Sequence, residues 1–214
     1  MRYGLILISL FALLLSSGCS NNLLVTGSFP SPLIDSDPHT LGVFYNDEFR
    51  NYTYTEASEE RSKWTIEQGA AQYQLFNTVL GKLFSRTVEL PQWPLAEGGE
   101  LAPEVDLVLQ PQVSAFQYST PRETKFKIYE VWIKYNLSAF DRDGQLVADW
   151  LVTAYGKTPT AFMKSDEDAM NAAIVVALRD LGANISLGTL RVPELKVWLE
   201  NNPAHAQAMA NRSL

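Results

Sequence analysis

The chain has 214 residues, with 17 Lys and Arg against 24 Asp and Glu, a formal net charge of −7, one Cys, two His, 46% hydrophobic and 19% charged residues. This composition fits one globular domain, alone or with tails, and excludes a disordered, collagen-like or multi-span membrane chain. A single Cys excludes an intrachain disulfide and any multi-Cys zinc site, and the acidic balance argues against nucleic-acid binding.

The N-terminus reads MRYGLILISLFALLLSSGCS. Arg2 and the terminal amine supply positive charge. Leu5 to Leu15 is apolar except for Ser9, and Ser16, Ser17 and Gly18 lead to Cys19. A charged start, an apolar stretch of about 7–15 residues and small residues before a cleavage point describe a secretory signal peptide; a membrane span needs ~20 apolar residues. Leu15-Ser16-Ser17-Gly18-Cys19 resembles the lipobox of bacterial lipoproteins, with Ser16 where that family usually has Leu. The resemblance implies that Cys19 is acylated with diacylglycerol, that the chain is cut just before it, and that the new amino group is acylated too. The alternative is an ordinary cleaved signal with a stray Cys, or an uncleaved anchor. Two or three acyl chains, at about 0.8 kcal/mol per buried CH₂, hold a protein on a membrane where one chain is marginal. Ser20 rather than Asp follows the Cys, which by the same resemblance favours the outer membrane, with the domain facing the periplasm. Cleavage removes Arg2, one of 17 basic residues against 24 acids, so the mature 196 residues carry −8. Such a surface is a poor ligand for anionic headgroups, so the membrane is expected to be engaged through the acyl chains on Cys19 and not through a basic patch.

Residues 19–38 form the expected lipidated N-terminus and flexible tether. Beyond the Cys they read SNNLLVTGSFPSPLIDSDP, without helical or strand periodicity, and nineteen extended residues reach about 60 Å. A single domain is expected over residues 39–200 and a frayed tail over 201–214. Residues 41–45 (LGVFY), 52–55 and 63–67 suit strands. Gln72, Phe76, Val79, Leu80 and Leu83 make one stripe of a helix over residues 69–85. Residues 87–90 read as a strand, and 105–118 as a strand interrupted or bent at Pro111. Residues 126–140 alternate strictly, with Tyr129, Val131, Ile133, Tyr135, Leu137 and Ala139 on one face. A turn at Asp141-Arg142-Asp143-Gly144, with Gly144 at a positive φ, returns the chain over residues 146–155. The last long helix opens at Ser165 as N-cap, with Asp168 three places on. It buries Met170, Ala173, Ile174, Ala177, Leu178 and Leu181, and Gly182 suits its C-cap. Residues 195–199 add a short helix. The order predicts an α+β domain with two helices on one face of a mostly antiparallel sheet.

Motifs for catalysis are sparse. G-x-S-x-G, H-E-x-x-H, the P-loop and G-x-G-x-x-G are absent; Gly98-Gly99 reads as a turn. His39 falls at the tether boundary and His205 in the tail, both expected to face solvent. The D-R-D-G segment could open a calcium loop, but its twelfth place is Val152, so a hairpin turn is the better reading. Asp166, Glu167 and Asp168 fit a helix N-terminus better than a metal patch. A carboxylate pair acting as general acid and base is open to so acidic a chain, but no spacing singles one out. The N-x-S/T triplets at Asn51, Asn136, Asn184 and Asn211 read as chance beside a bacterial lipobox. Trp132 and Trp150 flank one hairpin and are expected near each other on a sheet face, as core or as an aromatic docking surface. No cofactor and no metal is implied.

The pattern over residues 41–181, chiefly LGVFY, QGAAQYQLFNTVLGKLF, VDLVLQPQVSAF and YEVWIKYNLSAFDRDGQLVADW, is similar to that of small periplasmic auxiliary lipoproteins. These include the auxiliary lipoproteins of intermembrane transport ABC systems, the LPS-assembly lipoprotein of the LptE type, and the domain shared by TolB N-terminal and curli-secretion lipoproteins. The resemblance implies a non-enzymatic outer-membrane lipoprotein whose periplasmic domain binds an envelope protein in transport or assembly, through a sheet edge or the aromatic hairpin face. A cleft between helices and sheet that binds a lipid or other amphiphile is the second reading, and a carboxylate hydrolase the third. Only Cys19 carries over by position.

Overall fold

The structure, a computed structural model, describes residues 20–56, 58, 61, 63–94, 101–159 and 165–204. The signal peptide, Cys19, the Gly98-Gly99 turn, His205 and Asn211 lie outside the described residues. In chain order the elements are β1 (Ser20–Leu24), β2 (Asp37–Phe44), α1 (Asp47–Arg50), β3 (Thr53–Thr55), β4 (Lys63–Glu67), α2 (Gly69–Leu83), β5 (Phe84–Leu90), β6 (Leu107–Ser119), β7 (Ile128–Phe140), β8 (Leu146–Pro159), α3 (Asp166–Gly188), a 3₁₀ turn (Thr189–Arg191) and α4 (Pro193–Asn201).

The α+β class holds, but the sheets are mixed. A five-stranded sheet runs β5-β2-β6-β7-β8 and a three-stranded one β1-β4-β3. β2 is parallel to both β5 and β6, and β1 is parallel to β4. The antiparallel part is β3-β4 and the long β6-β7-β8 meander. Parallel pairing enters because β2 and β5 are joined by a crossover that contains α2, and a crossover of that kind returns the chain in the same direction.

α2 and α3 do lie on one face of the large sheet. β7 turns Tyr129, Val131, Ile133, Tyr135, Leu137 and Ala139 inward, all buried. Phe76 of α2 meets Tyr135 with ring centroids 5.6 Å apart. α3 comes so close to β8 that a Cβ on Gly156 would lie 2.1 Å from the Ala173 carbonyl oxygen and 2.3 Å from the Ala177 nitrogen. Ser165 caps α3, its Oγ accepting from the Asp168 N–H at 3.1 Å. Gly182 is not the C-cap. The helix continues to Gly188, and Gly182 is buried where α3 passes α2, beside Leu75 and Val79. A side chain there would crowd the helix pair, so the glycine serves packing. Pro111 does not interrupt β6 either. It follows the last residue paired with β2, Leu109, so the ladder on that side needs no N–H from it.

The stretch assigned to the tether is part of the fold. β1 pairs along its whole length with β4, and Leu23 and Val25 are buried. Asn171 of α3 clamps Thr26 with two 3.0 Å hydrogen bonds, its Oδ1 accepting from the Thr26 N–H and its Nδ2 donating to the Thr26 carbonyl. Arg179 donates to the Ser28 carbonyl at 3.0 and 3.2 Å. Phe29 and Ile34 pack on the core. The polar and Pro residues that hide any periodicity are those of an extended strap, whose polar groups are met by side chains of the helix beneath it. At the other end Asn201 closes α4 and Ala204 is buried, so residues 201–204 are docked, not frayed.

Candidate functional site

The 13 residues of β7 span ~40 Å at about 3.3 Å per residue, and the two ends of the meander define two poles. The first pole gathers the start of β1, opposite Lys63, the end of β6 and the turn at residues 120–127. Asn21, Trp64, Thr120, Arg122, Tyr129 and Asp166 line one small polar notch there. Arg61 ties this pole together. It bonds Glu56 at 2.8 Å and Glu123 at 2.6 Å, donates to the Tyr118 carbonyl at 2.7 Å, and lies 4.4 Å above the Tyr118 ring. Hydrogen bonding to Arg61 holds the Glu123 carboxyl below its ordinary value. Ser20, the first described residue, opens β1 at this pole.

The second pole carries the hairpin turn and α4. Asp141 builds the turn: its Oδ1 accepts from the Asp143 and Gln145 N–H groups at 2.9 and 2.8 Å, and Gly144 has φ 80°. A carboxylate spent on its own backbone is a turn former, as the sequence implies. Beside it lies an open groove of about 600 Å³, with Leu146, Val147, Pro193, Val197 and Trp198 as its apolar wall and Asp141, Glu194, Asn201 and Asn202 at its margin. Leu146 and Val197 are 58% and 57% exposed. α4 uses Leu195 to reach the core and leaves Val197 and Trp198 on the groove side.

His39 fixes the groove wall from behind and is not at the surface. It is buried, with Nδ1 2.6 Å from the Asp37 carboxylate, Nε2 2.5 Å from the Asn202 carbonyl, and its ring 5.7 Å from that of Trp198. Burial, the largest influence, favours the neutral ring. The Asp37 and Asn202 hydrogen bonds and the charges of Asp37 and Asp106 outweigh it and raise the pKa above 6.5. Both ring nitrogens face acceptors, an arrangement that only the doubly protonated ring satisfies.

The other sequence candidates separate. Trp132 pairs with Tyr155 on the open face of the sheet, rings 5.2 Å apart, whereas Trp150 pairs with Leu137 on the helix face. The two Trp residues therefore lie on opposite faces, because an odd number of positions along the ladder separates them. The edge of β8 is not bare: Asp180 of α3 accepts from the Tyr155 N–H at 3.0 Å and Asn184 donates to the Thr153 carbonyl at 3.2 Å. Such side-chain plugs discourage strand addition. Among the described residues no group of three or more His, Cys, Asp or Glu is placed to hold a metal ion. An apolar cleft of about 310 Å³ lies between the strap at residues 30–34 and helices α2 and α3, lined by Leu33, Ile34, Leu75, Val79 and Leu187. The sequence did not point to the second-pole groove; the only available signal was the apolar pair Val197-Trp198 on a helix too short to bury both.

No family model matches the chain, and no curated protein matches it. Among solved structures it is similar to a Xanthomonas campestris protein of the DUF330 family model, with 12% identity, 84% of this chain and 96% of that one covered, and a TM-score of 0.49. It is similar to a minor lipoprotein from Acinetobacter baumannii, with 14% identity, coverage of 76% and 97%, and a TM-score of 0.42. A hypothetical protein from Chlamydia trachomatis has 10% identity, coverage of 70% and 96%, and a TM-score of 0.39.

Proposed function

We propose that the protein is a non-enzymatic lipoprotein of the bacterial outer membrane, held by acyl chains on Cys19, whose periplasmic domain binds a protein partner in envelope transport or assembly through the groove at the second pole. The observation that carries this reading is the polar arrangement: the open apolar groove lies about 40 Å along β7 from the strand that follows Cys19. An anchor at one pole then presents the groove to the periplasm. Since β1 is locked into the sheet, little free chain separates anchor from domain, and the domain stands on the bilayer instead of ranging from it. His39, behind the groove wall, has both ring nitrogens committed to structural partners, which fits support of a binding wall rather than catalysis.

The test is site-specific photo-crosslinking in intact cells. A photoreactive residue at Val197 should give one discrete protein adduct, and the same residue at exposed Leu151, on the far face of the sheet, should not. Equal labelling from both positions contradicts the reading. The cleft under the strap favours a second reading, an amphiphile-binding module. Stoichiometric phospholipid retained by the full chain through detergent exchange, together with a silent Val197, would put that reading first.

A further inference from the structure

We propose that the first pole carries a second membrane contact, in which the turn at residues 120–127 lays Phe126 into the headgroup layer of an anionic bilayer. This rests on the acylation of Cys19 proposed above. Phe126 is 82% exposed and is the one strongly exposed aromatic side chain among the described residues; the other large apolar groups at the surface are aliphatic. It is presented by a built turn. Glu123 and Thr124 donate their N–H groups to the Thr120 carbonyl at 2.9 and 3.2 Å, and the Glu123 carboxylate returns to the Thr120 N–H at 2.7 Å. The Thr124 hydroxyl bridges both backbone groups of Ile128 at 3.0 and 3.1 Å. Lys127 takes φ 51°, a left-handed conformation that a residue with a Cβ adopts only under constraint. A turn fixed at both ends around an outward phenyl ring does not hide that ring on the protein itself.

Position and charge choose the occupant. Asn21, two residues after Cys19, lines the same notch as Thr120, Pro121 and Arg122. The acyl chains therefore enter the bilayer beside this turn, and the turn lies at membrane level. Arg122, Lys125 and Lys127, the cations that share its turn, are exposed like Phe126 itself. Among the described acids of this pole, Glu56 and Glu123 pair with Arg61 and Asp166 bonds the Tyr129 hydroxyl, while Glu167 and Asp168 lie in the first turn of α3, where carboxylates meet the positive end of the helix dipole. A chain that is acidic overall, and so expected to meet the membrane through its acyl chains alone, thus places three exposed cations and an exposed aromatic ring on one turn at the pole where β1 begins. Aromatic rings settle at the membrane interface, and clustered Lys and Arg are drawn to an anionic leaflet within a Debye length. The consequence is orientation: acyl chains on one residue permit the domain to roll, whereas a second point of contact keeps the groove facing away from the bilayer.

The experiment uses the full acylated chain in vesicles of phosphatidylethanolamine and phosphatidylglycerol. Acylation consumes the Cys19 thiol, so Phe126→Cys provides the only site for an environment-sensitive fluorophore, with Asp143→Cys at the opposite pole as reference. Nitroxide-labelled lipid should quench the label at position 126 several-fold more than the label at 143. The excess should shrink when Arg122, Lys125 and Lys127 are all changed to Gln. Equal quenching at 126 and 143 in a preparation whose Cys19 peptide carries its acyl mass overturns the inference and leaves the anchor reading standing. A Cys19 peptide without acyl mass overturns both. Lys125→Cys, labelled in the same way, repeats the test with Phe126 intact.

Discussion

Gly156→Ala tests the packing on which the architecture depends. Gly156 sits in β8 opposite Val131, and its missing side chain lets α3 lie directly on the strand. An added Cβ would come 2.1 Å from the Ala173 carbonyl oxygen and 2.3 Å from the Ala177 nitrogen. Both obstacles are helix backbone, so no rotamer change relieves them, and α3 must withdraw by on the order of 1 Å to restore van der Waals contact. Withdrawal loosens Met170, Ile174, Leu178 and Leu181, all fully buried. Overpacking of this kind costs about 1–3 kcal/mol, and more where backbone must yield. That is a large share of the ~5–15 kcal/mol stability of an ordinary domain. With a urea m-value of about 2 kcal/mol/M, the midpoint should fall by roughly 1 M at unchanged slope. Gly188→Ala is the internal control: nothing lies within 4 Å of its Cβ position and its backbone is already helical, so the midpoint should hold or rise slightly. If the two variants unfold at the same urea concentration, the close approach of α3 to β8 is wrong.

Three further outcomes follow from particular contacts. Leu23→Ala should cost about 2–4 kcal/mol in denaturant unfolding, because Leu23 is a buried residue of β1; a silent substitution would restore the free tether. The raised pKa of His39 means that folding favours the protonated ring. Its contribution is complete below about pH 6.5 and is lost as the pH rises through the raised folded value. The wild-type urea midpoint should therefore fall on that alkaline side, whereas His39→Gln should be less stable at acid pH and show a flatter profile; parallel profiles would refute the assignment. Arg61→Met should cost about 1 kcal/mol, less at high salt, and should speed amide hydrogen exchange across residues 120–127. Unchanged exchange there would mean that Arg61 does not organise the first pole.

Much of the core was legible because it is written in a single period. The inward face of β7, the capping Ser165 and the turn at Asp141 are set by nearest neighbours along one strand or one helix turn, and they stand where alternation and spacing put them. What escaped depends on partners distant in sequence. Residues 20–38 read as a tether because a strap lying over a helix has no period of its own; Asn171, some 145 residues on, supplies hydrogen bonds to Thr26. Gln72 fits the apolar stripe of α2, yet it is a buried polar hub that accepts from Tyr135 at 2.8 Å and donates to the Phe49 carbonyl at 2.6 Å. His39 lacked any local sign of its Asn202 contact, 163 positions away. The groove escaped for the same reason: its two walls, the start of β8 and α4, meet only after the chain has traversed α3.

The central claim is that Cys19 binds the domain to a membrane at the first pole. Mass spectrometry of the N-terminal peptide, from protein purified out of the native envelope, addresses it most directly. The account predicts a chain that starts at Cys19 and carries two or three fatty acyl groups. A chain that starts elsewhere, or a Cys19 with its thiol free, would contradict it.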